Sequence, residues 1–563
     1  MNYKKSIIYS AMSLGLAFVA NAQSPDFSLN GLGRSIISNN SLSGSIVDAD
    51  EGAQTKDVSG YNLFDLQSNL DLDSTFNAKA IFRTRSPFGT SFGSLTNFEF
   101  RQFSMGGNVN GFKYQIGDIR VQLSPFTVFN SDLVGTGFES DLFSQRKEIL
   151  EYENFNDGNT WLLQGTSGQY GWNIGENSGL GIYAFTTRTN SSNELNNSDR
   201  LLSGGRLEFQ YNENCKFGFN EVSLYDLVTK TADFDYNNNV LTADLIYSID
   251  LSETKIIFGA EGGGSFYDFR DNINEIDTSY QDFVFSSDVE YIIKDKGLKF
   301  GLDVKRVGAL FSSPTAQSRR YNPLTVPDLF SESKPAQTYY DRFTDEAVYN
   351  NSINVNLMPY FNIFNNLSPY GDATPNRFVV GATFKTDTSL ISSVESSMRL
   401  DYGTEVIGEG GEAKRTFIVV TGGGIAHLGN YLNLNRLFDV STGVRYENTS
   451  RSEGAKIALN SLLVDVGASI ETIKKLDLLV GAKYFNAEGN EFTTSRDGFN
   501  LITNFNEVNY DVSELILSGG ARIRFSEKQS FTLNYNLVNF SDERNENVSY
   551  NLGQLFLNYT GKF

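Results

Sequence analysis

Between Val240 and Leu251, Leu241, Ala243, Leu245, Tyr247, Ile249 and Leu251 fall on one face of an extended chain, while Thr242, Asp244, Ser248 and Asp250 fall on the other. Side chains of a strand point to opposite sides with period two, so this is a strand with one apolar and one wet face. The pattern recurs along the chain. Val394, Met398, Leu400 and Tyr402 oppose Glu395, Ser397, Arg399 and Asp401; Val440, Val444 and Tyr446 oppose Asp439, Ser441, Arg445 and Glu447; Val464, Val466 and Ile470 oppose Asp465, Ser469 and Glu471. Clusters of Asn, Asp, Gly and Ser separate runs of roughly ten residues, which is a hairpin repeat.

A soluble sandwich also alternates, with its apolar faces pressed together and its polar faces in water. Two features separate this chain from that case. The apolar faces end repeatedly in an aromatic ring (Tyr247, Tyr291, Tyr402, Tyr446, Phe525, Phe563), and the opposite faces mix acids, bases and glycine. An outward apolar band with aromatic girdles around a polar interior is what a closed sheet needs in lipid, where every backbone group must be paired within the wall. The 45 Phe, 28 Tyr and 51 Gly favour sheets and tight turns over helices. Beyond residue 22 no apolar run approaches the roughly 18 residues of a spanning helix. The expectation is all-β: a single transmembrane antiparallel up-and-down β-barrel of about 16–22 strands with long loops.

Residues 1–22 carry a basic start (Lys4, Lys5), an apolar stretch from Ile7 to Val19 and a small-x-small site at Ala20-Asn21-Ala22, the pattern of a signal peptide for export. Residues 23–60 are polar and turn-rich and read as an N-terminal arm; 61–563 read as the barrel. Pro314, Pro323, Pro327, Pro335, Pro359, Pro369 and Pro375 crowd into the stretch from about 312 to 376. Proline cannot donate to a strand ladder, so this stretch is not regular wall; folded inward it constricts the lumen, folded outward it caps or docks. A second irregular insertion spans about 124–159, where "ESDLFSQRKEILEYE" reads as one short helix.

The chemistry of a hydrolase or a metal site is poorly provided for. Cys215 is the single cysteine and His427 the single histidine, with no Gly-x-Ser-x-Gly elbow or paired histidines beside it. Acidic groups such as Asp48, Asp50 and Glu51, or Asp271, Glu275 and Asp277, lack the calcium-loop pattern and read as solvated turns. No enzyme activity and no cofactor are expected. The formal charge is −21, and −23 without Lys4 and Lys5 (44 basic minus 67 acidic residues), which repels nucleic-acid phosphates. Inward-facing Arg399, Asp401, Arg445, Arg522 and Arg524, set against Asp439 and Asp465, predict a charged lumen that is cross-braced.

The chain's last run, Tyr550 to Phe563, places Leu555, Leu557, Tyr559 and Phe563 on one side and Gln554, Asn558, Thr560 and Lys562 on the other. It resembles the final strand of exported barrels of diderm bacteria, which ends in Phe and is read by the outer-membrane insertion machinery; Gly561 departs from the usual bulky residue. That resemblance implies outer-membrane lipid and the barrel assembly machinery as partners. The segments "YNLFDLQSNL", "NAKAIFRTRSPFG" and "NFEFRQFSMGGNVNGFKYQIGDIRVQLSPFTVFN" are similar to barrel-type accessory subunits of Bacteroidota secretion systems, in particular the Plug subunit of the type IX translocon. This second resemblance implies a non-enzymatic subunit closing the periplasmic mouth of a larger secretion barrel. From the residues alone, Phe112, Tyr114 and Ile116 share a face while Ile119, Val121 and Leu123 fall on the other, so the phase slips at Gly117-Asp118. Two readings follow: a local distortion of the wall, or a partner-contact strand formed by Gly117, Asp118, Ile119 and Arg120. The functional expectation is a transport or scaffold barrel, with a secretion-complex subunit as the alternative and a barrel enzyme using His427 as the third.

Overall fold

The computed structural model describes residues 26–49, 58–72, 75–88, 96–131, 136–154, 161–190, 199–227, 234–318, 370–386, 393–496 and 502–563. They form one closed, antiparallel sheet of 22 strands, with each strand hydrogen-bonded to its neighbours in chain order. The first strand, Asp26–Ser43, pairs with Val58–Asp71 on one edge and with the last strand, Tyr550–Lys562, on the other, from Leu32 opposite Lys562 to Ser43 opposite Asn551. Closure leaves no unpaired edge.

The alternation sorts as lipid demands. Met398 and Tyr402 are each 51% exposed on the outer surface, whereas Glu447 and Asp465 are 0% exposed inside. In a sandwich the apolar set would be the buried one, so these values decide between the two architectures.

The two ends of the barrel differ. At one end the turns are short: Asn110 and Gly111, both at positive φ (51° and 87°), join Asn97–Val109 to Phe112–Val121, and Lys475 at φ 69° helps join Ile457–Ile473 to Leu476–Arg496. The opposite end carries the long connections, including the one from Val121 to Trp161 and the one from Val307 to Arg377. Short turns mark the periplasmic end of such barrels and long loops the outer end. Asp26 and Lys562 sit at the short-turn end, and both irregular insertions start from the opposite, long-connection end.

One expectation is corrected. Residues 26–43 are the first wall strand, not part of a polar arm. Its apolar Leu32 and Ile36 face the lumen beside Arg34, Ser38 and Asn40, all buried, which leaves Gly31, Gly33, Ser35 and Asn39 on the outer surface with Phe27, Leu29 and Ile37. Apolar residues are thus split between the two faces, with no clean alternation, and the strand therefore reads as loop. The signal-peptide residues 1–22 lie outside the described residues.

Candidate functional site: a plugged and charged lumen

The phase slip is the point where the chain leaves the wall. Gly117 sits at φ +96° and is the last residue of its strand to face Asn97–Val109, opposite Ser104. The next residue, Asp118, takes the freed N–H of Phe103 on Oδ2 at 2.5 Å. Past this point Ile119 and Val121 turn inward, fully buried, and pack with Val128, Val222, Leu224, Tyr236 and Tyr267 in an apolar cluster inside the lumen. Asp118 and Ile119 are thus closed to an outside partner, while Arg120 points outward. The slip re-aims the strand so that the following segment enters the barrel.

That segment ends in a lumenal helix, Asp141–Asn154, where the sequence leads one to expect a helix over Glu139 to Glu153. It enters over a seat of wall glycines. A Cβ on Gly443 would lie 2.4 Å from Phe138 O, one on Gly467 2.2 Å from Ser140 Cβ, and one on Gly481 2.9 Å from Ser140 Oγ. Only bare backbone permits such an approach. Polar pins hold both ends of the helix. At its start, Ser140 N donates to Asp465 Oδ1 (3.0 Å), Lys483 Nζ bridges Glu139 (2.6 Å) and Asp465 (3.4 Å), and Arg522 binds Asp141 (2.7 Å). Midway, Gln145 donates to Thr532 at 2.9 Å.

At its end, the buried Glu153 carboxylate accepts from Arg34 (2.5 Å), Arg85 (2.6 Å) and Tyr61 (2.8 Å), and its carbonyl accepts from Arg83 (2.8 Å). The Tyr152 hydroxyl donates to Asp65 (2.7 Å), which also holds Arg83 and Arg101. The guanidinium carbons of Arg34, Arg83 and Arg101 lie 5.5, 5.8 and 4.3 Å from the centre of the Tyr152 ring. Burial, together with the Asp65 carboxylate, pushes the Tyr152 hydroxyl up to about 12, so it remains a donor at neutral pH. Ile149 completes the contact by packing with Leu32, Ile36 and Phe556.

The second insertion meets the first inside the barrel. Phe129–Ser131 and Ala316–Ser318 form a two-stranded parallel sheet separate from the wall. Thr127 O accepts from Thr315 (2.9 Å) and Ser313 (3.2 Å), and Ser312 is tied to wall residues Ser265 and Asn238. Phe126, Phe311, Ala316 and Ala373 pack on Val240, Val284 and Val307, which face inward. Of the insertion expected at 312–376, residues 319–369 lie outside the described residues.

Below this packing is a charged chamber of about 870 Å³. Four residues nearer the short-turn end than Val240, Val284 and Val307 stand Asp244, Asp288 and Asp303, a displacement of about 13 Å along each strand. Arg206 binds Asp244 through two hydrogen bonds (2.5 and 2.9 Å), and Arg399 binds Asp303 in the same forked manner (2.9 and 3.0 Å) while Nε reaches Asp401. Lys305 pairs with Asp372 of the second insertion.

The inward charges expected from the sequence are therefore braced, though often by other partners. Arg399 does meet Asp401. Arg445 pairs with Glu447, not Asp439, and Asp439 faces His427 Nδ1 at 3.0 Å; Arg522 and Arg524 share Asp477. At the seam, Leu555, Tyr559 and Phe563 are exposed on the outer face and Leu557 is half-buried there. Phe563 stacks on Phe64 (centroids 5.6 Å) and exchanges backbone hydrogen bonds with Gly31 (3.1 and 3.2 Å). A Cβ on Gly31 would stand 2.7 Å from the Phe563 ring. Among the described residues no group of three or more His, Cys, Asp or Glu side chains is placed to hold a metal ion.

Fold and lumen define a transmembrane β-barrel of outer-membrane type. No protein-family model and no curated protein matches the sequence. Among solved structures, the chain is similar to Pseudomonas aeruginosa OpdK crystallised with vanillate (8% identity, 96% of this chain and 99% of that one, TM-score 0.37). It is also similar to P. aeruginosa OccK11 (9%, 96% and 96%, 0.38) and Acinetobacter baumannii OccAB4 (10%, 96% and 99%, 0.38). Overlaps of this size leave the function to be read from the chain's own lumen.

Proposed function

We propose that this chain is a non-enzymatic outer-membrane transport barrel that passes small, charged solutes along a narrow route past two inward-folded insertions. The observation that carries the reading is the chamber: a space of about 870 Å³ bounded by both insertions and by opposed guanidinium and carboxylate groups. A pure scaffold would be better served by an apolar filling like that around Phe126, because buried ion pairs are expensive to desolvate and weak as net stabilisers. Charges lining a water-filled space escape that cost and act on what passes. Outer-membrane lipid along the apolar band and the assembly machinery at the Phe563 strand are the partners of this reading.

Planar-bilayer recording of the refolded protein tests it. Discrete channels of low conductance, enlarged when residues 136–154 are deleted, are expected. A heat-modifiable barrel that never conducts, with or without the deletion, would refute transport. Co-purification with a larger secretion barrel in mild detergent would instead favour the accessory-subunit reading.

A further inference from the structure

Four consecutive strands, Phe234–Asp250, Thr254–Asp271, Ile276–Ile293 and Leu298–Val307, each put one carboxylate into the chamber: Asp244, Glu261, Asp288 and Asp303. Asp244 is directly opposite Glu261 and Asp288 directly opposite Asp303 in the registers. Like charges so placed repel, and the repulsion needs a cation. The outer two have one each. Arg206 lies over Gly218, where a Cβ would be 2.2 Å from its Nη2, and binds Asp244; Arg399 lies over Gly381, where a Cβ would be 2.6 Å from its Nη2, and binds Asp303. Each seat has the same build: a glycine opens the wall, a guanidinium lies flat against it, and flanking carboxylates take its N–H groups.

The middle of the row repeats the seat without the guanidinium. Gly259 opens the wall beside Asp288, whose Oδ1 would be 2.3 Å from a Cβ there. Glu261, which lines the chamber, stands two residues along the same strand, only 8% exposed; its Oε1 is buried without a hydrogen-bond partner, and the hydroxyls of Ser124 and Thr242 act on the same carboxylate. No Lys or Arg forms an ion pair with Glu261 or Asp288 among the described residues. A buried carboxylate oxygen without a donor is costly, and such groups in native proteins have an explanation. With two identical seats filled by the chain's own guanidinium groups, we propose that the third, between Glu261 and Asp288, is a binding site for a small organic cation bearing a guanidinium group. The site rests on the transport reading only for its purpose; its existence depends on the wall geometry alone. The absence of a metal-competent carboxylate group among the described residues is in keeping with a planar, multi-donor cation that spans two separated acids.

The test uses the refolded full-length barrel in detergent, titrated calorimetrically with methylguanidinium chloride at fixed ionic strength, and with tetramethylammonium chloride as a cation that has no N–H donor. Saturable methylguanidinium binding, at least tenfold weaker in Glu261→Gln/Asp288→Asn and absent for tetramethylammonium, is expected. Should the double variant lose heat-modifiable migration, Asp288→Asn alone serves, since Asp288 is exposed to the chamber and makes no ion pair among the described residues. Equal binding by wild type and variant, equal binding of both cations, or no saturable binding overturns the seat. Conductance separates the two claims: a barrel that conducts but does not bind loses the seat alone, and one that binds but does not conduct loses the transport reading alone.

Discussion

Replacing Glu153 by glutamine should undock the lumenal helix. The Glu153 side chain is 0% exposed and the Arg34 side chain facing it 6%. Glutamine keeps the shape but not the charge, so Arg34 and Arg85 lose the carboxylate they share, and the new amide turns donors toward donors. Removing one partner of a buried ion pair costs about 3–5 kcal/mol. At about 1.4 kcal/mol per tenfold, this raises the undocked population by a factor of roughly 10² to 4 × 10³. Asp141→Asn at the other end is the internal control. Its side chain is 34% exposed and Arg522 keeps Asp477, so solvent screening limits the loss to about 1 kcal/mol or less. Single-channel recording reads the difference: Glu153→Gln should show bursts of higher conductance, and Asp141→Asn should record as wild type. If Glu153→Gln is indistinguishable from wild type, or if Asp141→Asn opens as often, the buried Glu153 cluster is not what holds the helix.

Gly467→Val drives a side chain into Ser140 and should expel the segment before the helix at a cost of about 1–3 kcal/mol, seen as faster proteolysis of the helix in a barrel that still migrates heat-modifiably. Phe563→Ala removes one ring stack, about 0.5–1.5 kcal/mol, so the purified barrel should unfold at nearly the wild-type denaturant concentration while its yield in the outer membrane falls several-fold; equal losses in both assays would contradict a role in insertion. Arg399→Gln leaves Asp303 and Asp401 uncompensated in the chamber and should move the reversal potential toward cations, whereas an unchanged potential would mean that these groups do not face the conducting path.

The wall is legible in the sequence where the two faces differ in chemistry, as in Val394–Tyr402 and Val440–Glu447, because period-two alternation is a property of each strand by itself. The first strand is not, since Leu32 and Ile36 pack on Ile149 and Phe556 inside while glycine and serine interrupt the outward face between Phe27, Leu29 and Ile37, and this mixture has meaning only once the lumenal helix is in place. Lumen charges such as Arg399 and Arg522 can be assigned to a face from alternation, but their partners cannot. Asp303 and Asp141 lie 96 and 381 residues away from them, and nothing local encodes the pairing. The glycines at 443, 467 and 481 become seats only through what lies against them, and that comes from another part of the chain. The same holds for the seat at Glu261 and Asp288, which needs register across four strands.

The helix also fixes an order of assembly. Its C-terminal end is held by strands close in sequence: Arg83 and Tyr61 lie 70 and 92 residues from Glu153. Its N-terminal half is held by strands near the end of the chain: Asp465 is 325 residues from Ser140, Arg522 is 381 from Asp141 and Thr532 is 387 from Gln145. Contacts that close long loops form late. The same helix spans the junction of first and last strands, with Arg34 donating to Thr560 across that junction and Phe556 packing on Ile149. Closure of the wall therefore completes the helix's binding site, and the helix in turn ties the closing strands together from inside. On refolding into detergent or lipid, the gel shift of the closed barrel should appear before the helix gains protection from protease, and in Gly467→Val the shift should persist while protection does not. Protection arriving ahead of the shift would mean that the helix docks on the early strands unaided and templates closure, the reverse of the order that these separations imply.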